Sequence, residues 1–188
     1  MKHFITFALI FSSALSFAQY EEAQPFAESI DRQDLKELLY VYASDFFQGR
    51  ETGTLGQKRA VTFLKEFYQT RGIAAAKGTE DYFQKMELTL KGEAVSTENV
   101  VAIIEGSTMP EEYVVISSHL DHEGIKKGEI YNGADDDGSG SVALLEIAEA
   151  FQKAAEAGKG PQRSVIFLHV SGEEKGLLGS KYYTDNPL

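Results

Sequence analysis

The sequence predicts an α/β protein, a three-layer sandwich around a mixed, mainly parallel central sheet. Three observations predict it. Residues 114–116 (Val-Val-Ile) and 165–168 (Val-Ile-Phe-Leu) are short continuous apolar runs, the pattern of strands buried on both faces. Between them, residues 141–157 set Val142, Leu145 and Ala148 at helical spacing. Strand, helix and strand at this distance imply a parallel βαβ unit. With 188 residues, 43% hydrophobic and 25% charged, the chain can bury one real core.

The other elements follow in order. Lys2, the apolar stretch 4–15 and the small-x-small triplet Ser16-Phe17-Ala18 read as a secretory signal peptide cleaved after Ala18, which implies a secreted or periplasmic protein. That stretch is too short to favour a bilayer span, and no later run of about 20 apolar residues exists. Residues 19–29 form a polar lead-in with little order expected. Residues 31–42 read as a helix with Leu35, Leu38, Leu39 and Tyr42 on one face. After the turn 49–53, Thr54 and Gln57 predict a capping box for a second helix. This helix buries Val61, Leu64 and Tyr68 and stops at Gly72. Residues 82–90 and 99–104 read as successive strands. Residues 30–188 thus form a single unit, without repeat or long linker.

Composition narrows the chemistry. Zero cysteines exclude disulfides and thiolate metal sites, which leaves His, Asp and Glu as ligands, and no lipid anchor can form at the cleavage point. A net charge of −11 argues against a nucleic-acid partner, since phosphate binding needs clustered Lys and Arg. Its plainest meaning is solubility.

Three polar clusters fall at ends of the predicted elements. They are Ser117-Ser118-His119-Leu120-Asp121-His122, the run 133–140 containing Asp135-Asp136-Asp137, and Ser171-Gly172-Glu173-Glu174. In an open α/β sheet, ligands gather at the carboxyl ends of parallel strands, so residues 119, 136 and 174 should converge on one crevice. Two adjacent carboxylates after a buried strand are costly to desolvate and call for a metal or a reacting water. Imidazole with carboxylates is the donor set of a hydrolytic zinc centre. Asp121, two residues beyond His119, can fix its tautomer.

Plainer readings apply to several of these residues. His119 alone could be a hydrogen-bonded strand-end histidine. One or two of Asp135, Asp136 and Asp137 can be explained as a solvated turn capping the following helix. His122 and Glu123 read as surface residues and His169 as a core one. The segment 138–143 also satisfies a GxGxxA dinucleotide pattern, but three neighbouring aspartates would repel a pyrophosphate.

The motifs His-x-Asp (119–121), Gly-Ala-Asp-Asp-Asp-Gly-Ser-Gly (133–140) and Glu-Glu-x-Gly-Leu-Leu-Gly-Ser (173–180) resemble those of the M28 family of zinc aminopeptidases. That family also holds glutamate carboxypeptidases and, as a divergent branch, glutaminyl cyclases. The resemblance runs from the 49–53 turn to Pro187. It implies a zinc-peptidase fold, a peptide substrate and two Zn2+ ions. It further implies metal ligation by His119, Asp136 and Glu174, with Asp136 bridging both ions, Glu173 as general base, and Asp121 as a supporting catalytic residue. A carboxylate bridge suits cations about 3.5–4 Å apart.

The family also uses an Asp on a later strand and a more distant His. On that resemblance the chain is the N-terminal part of a longer enzyme, with C-terminal strands and two ligands beyond Leu188. Asp185 lies in a predicted turn and is a poor substitute. The reading is a secreted di-zinc peptidase acting at free N-termini. Carboxypeptidase or cyclase chemistry and a non-catalytic binding module remain the alternatives, and the oligomeric state is not legible.

Overall fold

The computed structural model describes residues 21–188, so the signal-peptide reading of residues 1–18 lies outside the described residues. The lead-in is more ordered than its composition predicts. Residues 21–27 are helical, and the Gln24 side chain donates to Glu28 Oε1 at 2.7 Å. An i,i+4 polar pair of this kind supports a helical turn.

Helix α1 (Arg32–Tyr42) starts where Asp31 accepts the Gln33 N–H at 2.5 Å. Its face of Leu35, Leu38, Leu39 and Tyr42 packs into the main core. A 3-10 segment, Asp45–Arg50, leads through a turn into α2 (Leu55–Thr70), with Thr54 at the N-cap. The expected capping box does not form. The Thr54 hydroxyl donates back to Glu51 O at 2.7 Å, and Gln57 accepts from Gly53 N–H while donating to Ser171 Oγ at 3.2 Å. Gln57 is wholly buried, so its amide bridges the Gly53 N–H before the helix and Ser171 in the interior instead of closing back on the Thr54 N–H.

One sheet holds β1 (Ala74–Ala75), β2 (Phe83–Leu90), β3 (Glu93–Ile104), β4 (Met109–His119) and β7 (Arg163–Val170). The order is β1-β3-β7-β4, with β2 also paired to β3. The sheet is mixed, as expected, but its parallel part is β4–β7 alone; β1, β2 and β7 all run antiparallel to β3. The sequence-predicted strand at 99–104 extends back to Glu93 and closes a hairpin with β2 across Lys91 and Gly92. A second hairpin, β5 (Gly124–Lys126) and β6 (Glu129–Tyr131), turns at Lys127-Gly128, both at positive φ.

Alternation along β3 and β7 divides the core between the two faces. Val100, Ala102, Ile104, Val165 and Phe167 meet α1, α2 and the crossover helix α3 (Ser139–Glu156). Val101, Ile103, Ile166, Leu168 and Val170 point the other way, toward Tyr183 of α4 (Leu178–Asp185). Helices on both faces make the three layers. Burying each of these Val, Ile, Leu and Phe side chains contributes roughly 1.5–3 kcal/mol.

The 165–168 run is buried on both faces, but the 114–116 run is not: Val114 and Val115 are each 46% exposed. Among the described residues β4 pairs only with β7 and bounds the sheet, so it lacks a neighbour on its outer side.

Candidate metal centre

Three chain segments meet at the carboxyl ends of the parallel pair. His119 is the last residue of β4, Glu173 and Glu174 follow the end of β7, and Asp136 lies in the Ala134–Gly138 segment just before α3. The crossover from β4 through α3 to the parallel β7 delivers Asp136, just before α3, to the same end as His119.

The three aspartates divide by environment. Asp137 turns inward, accepting His119 N–H at 3.1 Å on Oδ2 and Gly140 N–H at 3.0 Å on Oδ1, so it caps α3 and fastens it to β4. Asp135 is exposed and offers only its carbonyl, to Ser139. Asp136 faces the histidines. Its Oδ1 is 3.0 Å from His119 Nε2, and its Oδ2 is 3.9 Å from His122 Nδ1.

His119 directs Nδ1 at the Asp121 carbonyl oxygen, 3.1 Å away; with the proton on Nδ1, the Nε2 lone pair is left on the Asp136 side, available to a cation. Asp121 therefore fixes the ring chiefly through its main chain, because its carboxylate is farther off at 3.9 Å. That carboxylate, wholly buried, accepts the Thr52 hydroxyl at 2.7 Å and the Glu173 N–H at 3.2 Å. Asp121 thus ties the β4 exit to the Glu173-Glu174 segment.

His122 corrects the sequence reading. It is not a surface residue: its side chain is 14% exposed, and Nδ1 stands 2.7 Å from Glu174 Oε1. His122 follows β4 in irregular chain, where no periodicity assigns an inward or outward face. Only its spacing of three from His119 could have pointed to it. Gly133 makes room for the ring, since a Cβ there would come within 2.4 Å of both His122 Cγ and the Asp136 carbonyl oxygen. Glu123 does lie outside the cluster, paired with Lys126. His169 is buried in the core, between the Tyr68 hydroxyl at 2.7 Å and Ser118 Oγ at 3.0 Å. Asp185 is exposed at the end of α4, paired with Lys181 at 2.6 Å, and takes no part.

The donor set fits a divalent cation. His122, Asp136 and Glu174 each offer a ligand atom, all within 4.8 Å of one another. Ligand atoms around one tetrahedral zinc lie about 3.3 Å apart, close enough for modest side-chain movement to reach. His122 Nδ1 and Glu174 Oε1 are moreover buried without a hydrogen-bond partner. Their 2.7 Å separation is ion-pair distance, yet the approach is not aligned for a hydrogen bond. A buried imidazole nitrogen and a buried carboxylate oxygen that face each other without a hydrogen bond are costly unless a proton or a cation lies between them.

Comparison with known proteins bears on the fold and the family. The glutaminyl cyclase of Porphyromonas gingivalis has the same fold, with a TM-score of 0.69 at 21% identity, over 84% of this chain and 56% of that one. A protein named leucine aminopeptidase 1, from Ajellomyces capsulatus, is 33% identical over 150 residues, 68% of this chain and 38% of the relative. A protein described as a probable glutamate carboxypeptidase, from Arabidopsis thaliana, is 34% identical over 102 residues, 53% of this chain and 14% of the relative. The chain therefore spans well under half the length of these two relatives. The fold is shared with that glutaminyl cyclase, and the donor set at the strand ends is one that a divalent cation could use. Residues 99–188, just under half of the chain, match the model of peptidase family M28.

Proposed function

We propose that the chain is part of a secreted di-zinc aminopeptidase, with residues 30–188 contributing the N-terminal portion of a single peptidase domain. The observation that carries the reading is the convergence of His119, His122, Asp136 and Glu174 at the ends of β4 and β7. Asp136 would serve two cations, one oxygen facing His119 and the other facing His122 and Glu174. Zinc, when bound, would supply Lewis acidity and lower the pKa of a bound water to about 7. Glu173 would take the proton of the reacting water and return it to the leaving amine. Asp121 would hold Glu173 in place through its backbone N–H and orient His119 through its own carbonyl. The composition of residues 1–18 supports export, and among the described residues no helix is long and apolar enough to cross a membrane.

A second reading, release of C-terminal glutamate, is favoured by the likeness to the Arabidopsis relative. Parallel assays of the complete protein with aminoacyl-nitroanilides and with acetylated peptides ending in glutamate separate the two. Chelator-sensitive hydrolysis of the nitroanilides is expected. Turnover confined to the blocked peptides would replace the aminopeptidase reading, and no turnover of either would leave a binding module.

A further inference from the structure

Arg50 is the largest of the fully buried side chains, 1% exposed, and no carboxylate pairs with it among the described residues. Its guanidinium spends its donors on four main-chain carbonyls. Nε donates to Leu120 O at 2.9 Å, Nη1 to Tyr42 O at 3.1 Å and Asn132 O at 2.8 Å, and Nη2 to Gly133 O at 2.8 Å. A buried cation without a counter-ion is expensive, and an apolar side chain of similar volume often stabilises a core as well or better. Packing alone therefore gives no reason for Arg at this position.

The carbonyls it holds do give one. Leu120 lies between His119 and Asp121, and the Arg50 carbonyl in turn accepts the His122 N–H at 3.4 Å. Asn132 and Gly133 lead into Asp136. One planar fork therefore spans the loop that carries both histidines and the loop that carries the aspartate. Its donors are fixed relative to each other, so the distance between the two loops is fixed too. Tyr42 braces the fork: its ring centroid lies 4.6 Å from Arg50 Cζ, and its hydroxyl donates to the same Leu120 O at 3.2 Å. Burial pushes that hydroxyl's pKa up to about 12 against the opposing effect of Arg50, so it remains a donor.

We propose that Arg50 is a positioning residue of the metal centre, setting the spacing of His119 and His122 from Asp136. The proposal rests on the metal-site reading above. Groups behind metal ligands typically carry about 10–100-fold in metal affinity. Lysine cannot substitute, because its three donors radiate from one point and cannot reach four carbonyls on two loops.

The test uses the whole chain as wild type, Arg50→Gln, Arg50→Lys and, as a stability control remote from the centre, Tyr82→Phe, which loses a buried hydroxyl bond to Ile73 O. Zinc affinity is measured by chelator competition, coordination by the visible spectrum with Co2+, and fold by circular dichroism of the metal-free protein. Both Arg50 variants should stay folded, bind zinc at least about 10-fold more weakly and show an altered Co2+ spectrum. Tyr82→Phe should match wild type in affinity and spectrum. Arg50 variants with wild-type affinity and spectrum, or with losses no larger than the control's, would overturn the proposal. So would failure of both variants to fold with zinc present, since Arg50 would then serve the fold itself. Failure of the metal-site reading is distinguishable, because the wild-type arm would then show no saturable zinc binding.

Discussion

His122 Nδ1 and Glu174 Oε1 stand 2.7 Å apart, both shielded from solvent and neither with an aligned hydrogen-bond partner. A cation held by both atoms would satisfy them and stabilise the folded state by mass action. Free zinc at 100 times its Kd stabilises a single-site protein by about 2.7 kcal/mol. Thermal unfolding should therefore show a Tm that zinc raises and chelation lowers. In His122→Ala the metal-free Tm should change little and the zinc-induced rise should shrink. An undiminished rise in that variant would remove His122 from the ligand set.

The three consecutive aspartates should separate cleanly on substitution. Asp136→Asn withdraws the only one of the three carboxylates that faces both histidines, so zinc content should fall most there. Asp137→Asn weakens the bonds to His119 N–H and Gly140 N–H and should instead cost stability, on the order of 1 kcal/mol as for a lost helix cap. Asp135→Asn should leave both unchanged, because Asp135 is exposed. Metal counting and urea unfolding of the three purified variants check this. Equal zinc losses in all three would refute the assignment of Asp136.

Glu173 sits where Asp121 fixes its backbone, next to Glu174. If Glu173 is the general base, Glu173→Gln in the complete protein should keep its zinc and lose at least about 100-fold in kcat. The amide keeps the shape and loses the ability to take a proton. Steady-state kinetics with metal analysis of the same sample decide it, and near-wild-type turnover would move the role elsewhere.

The fold was legible wherever periodicity was strong. The Leu35-Leu38-Leu39-Tyr42 face and the buried 165–168 run are set by local pattern, and the structure places both in the core or sheet interior. Val114 and Val115 mislead because an apolar run reports affinity for burial, whereas exposure depends on which strands lie beside β4. The capping box failed for a related reason: Gln57 has a tertiary partner, Ser171, more than a hundred positions away. At the site, motif spacing singled out His119, Asp136 and Glu174 as residues that meet. For His122 it offered only the spacing of three from His119, and it could not reveal the buried Arg50 and Thr52, whose partners are main-chain carbonyls and one carboxylate on other loops. Such bonds follow from how loops pack and leave no periodic trace in the sequence.

The core histidine gives a prediction about acid stability. Burial against the neutral Tyr68 and Ser118 side chains lowers the His169 pKa from 6.5 to about 3. In the folded protein the ring therefore stays neutral down to about pH 3, while in the unfolded chain it protonates near pH 6.5. Between those values the unfolded state binds more protons, so stability falls as pH falls. The stabilisation is fully present above about pH 6.5 and is lost progressively toward pH 3, at up to about 1.4 kcal/mol for each pH unit. His169→Gln removes the titrating group while keeping a polar side chain that can meet the Tyr68 hydroxyl. The variant should be less stable than wild type at pH 7 but should lose less on going to pH 4.5. Urea unfolding of both proteins at the two pH values measures the difference, and the other titrating groups largely cancel in it. Equal losses in the two proteins would show that His169 is not the source of the acid sensitivity.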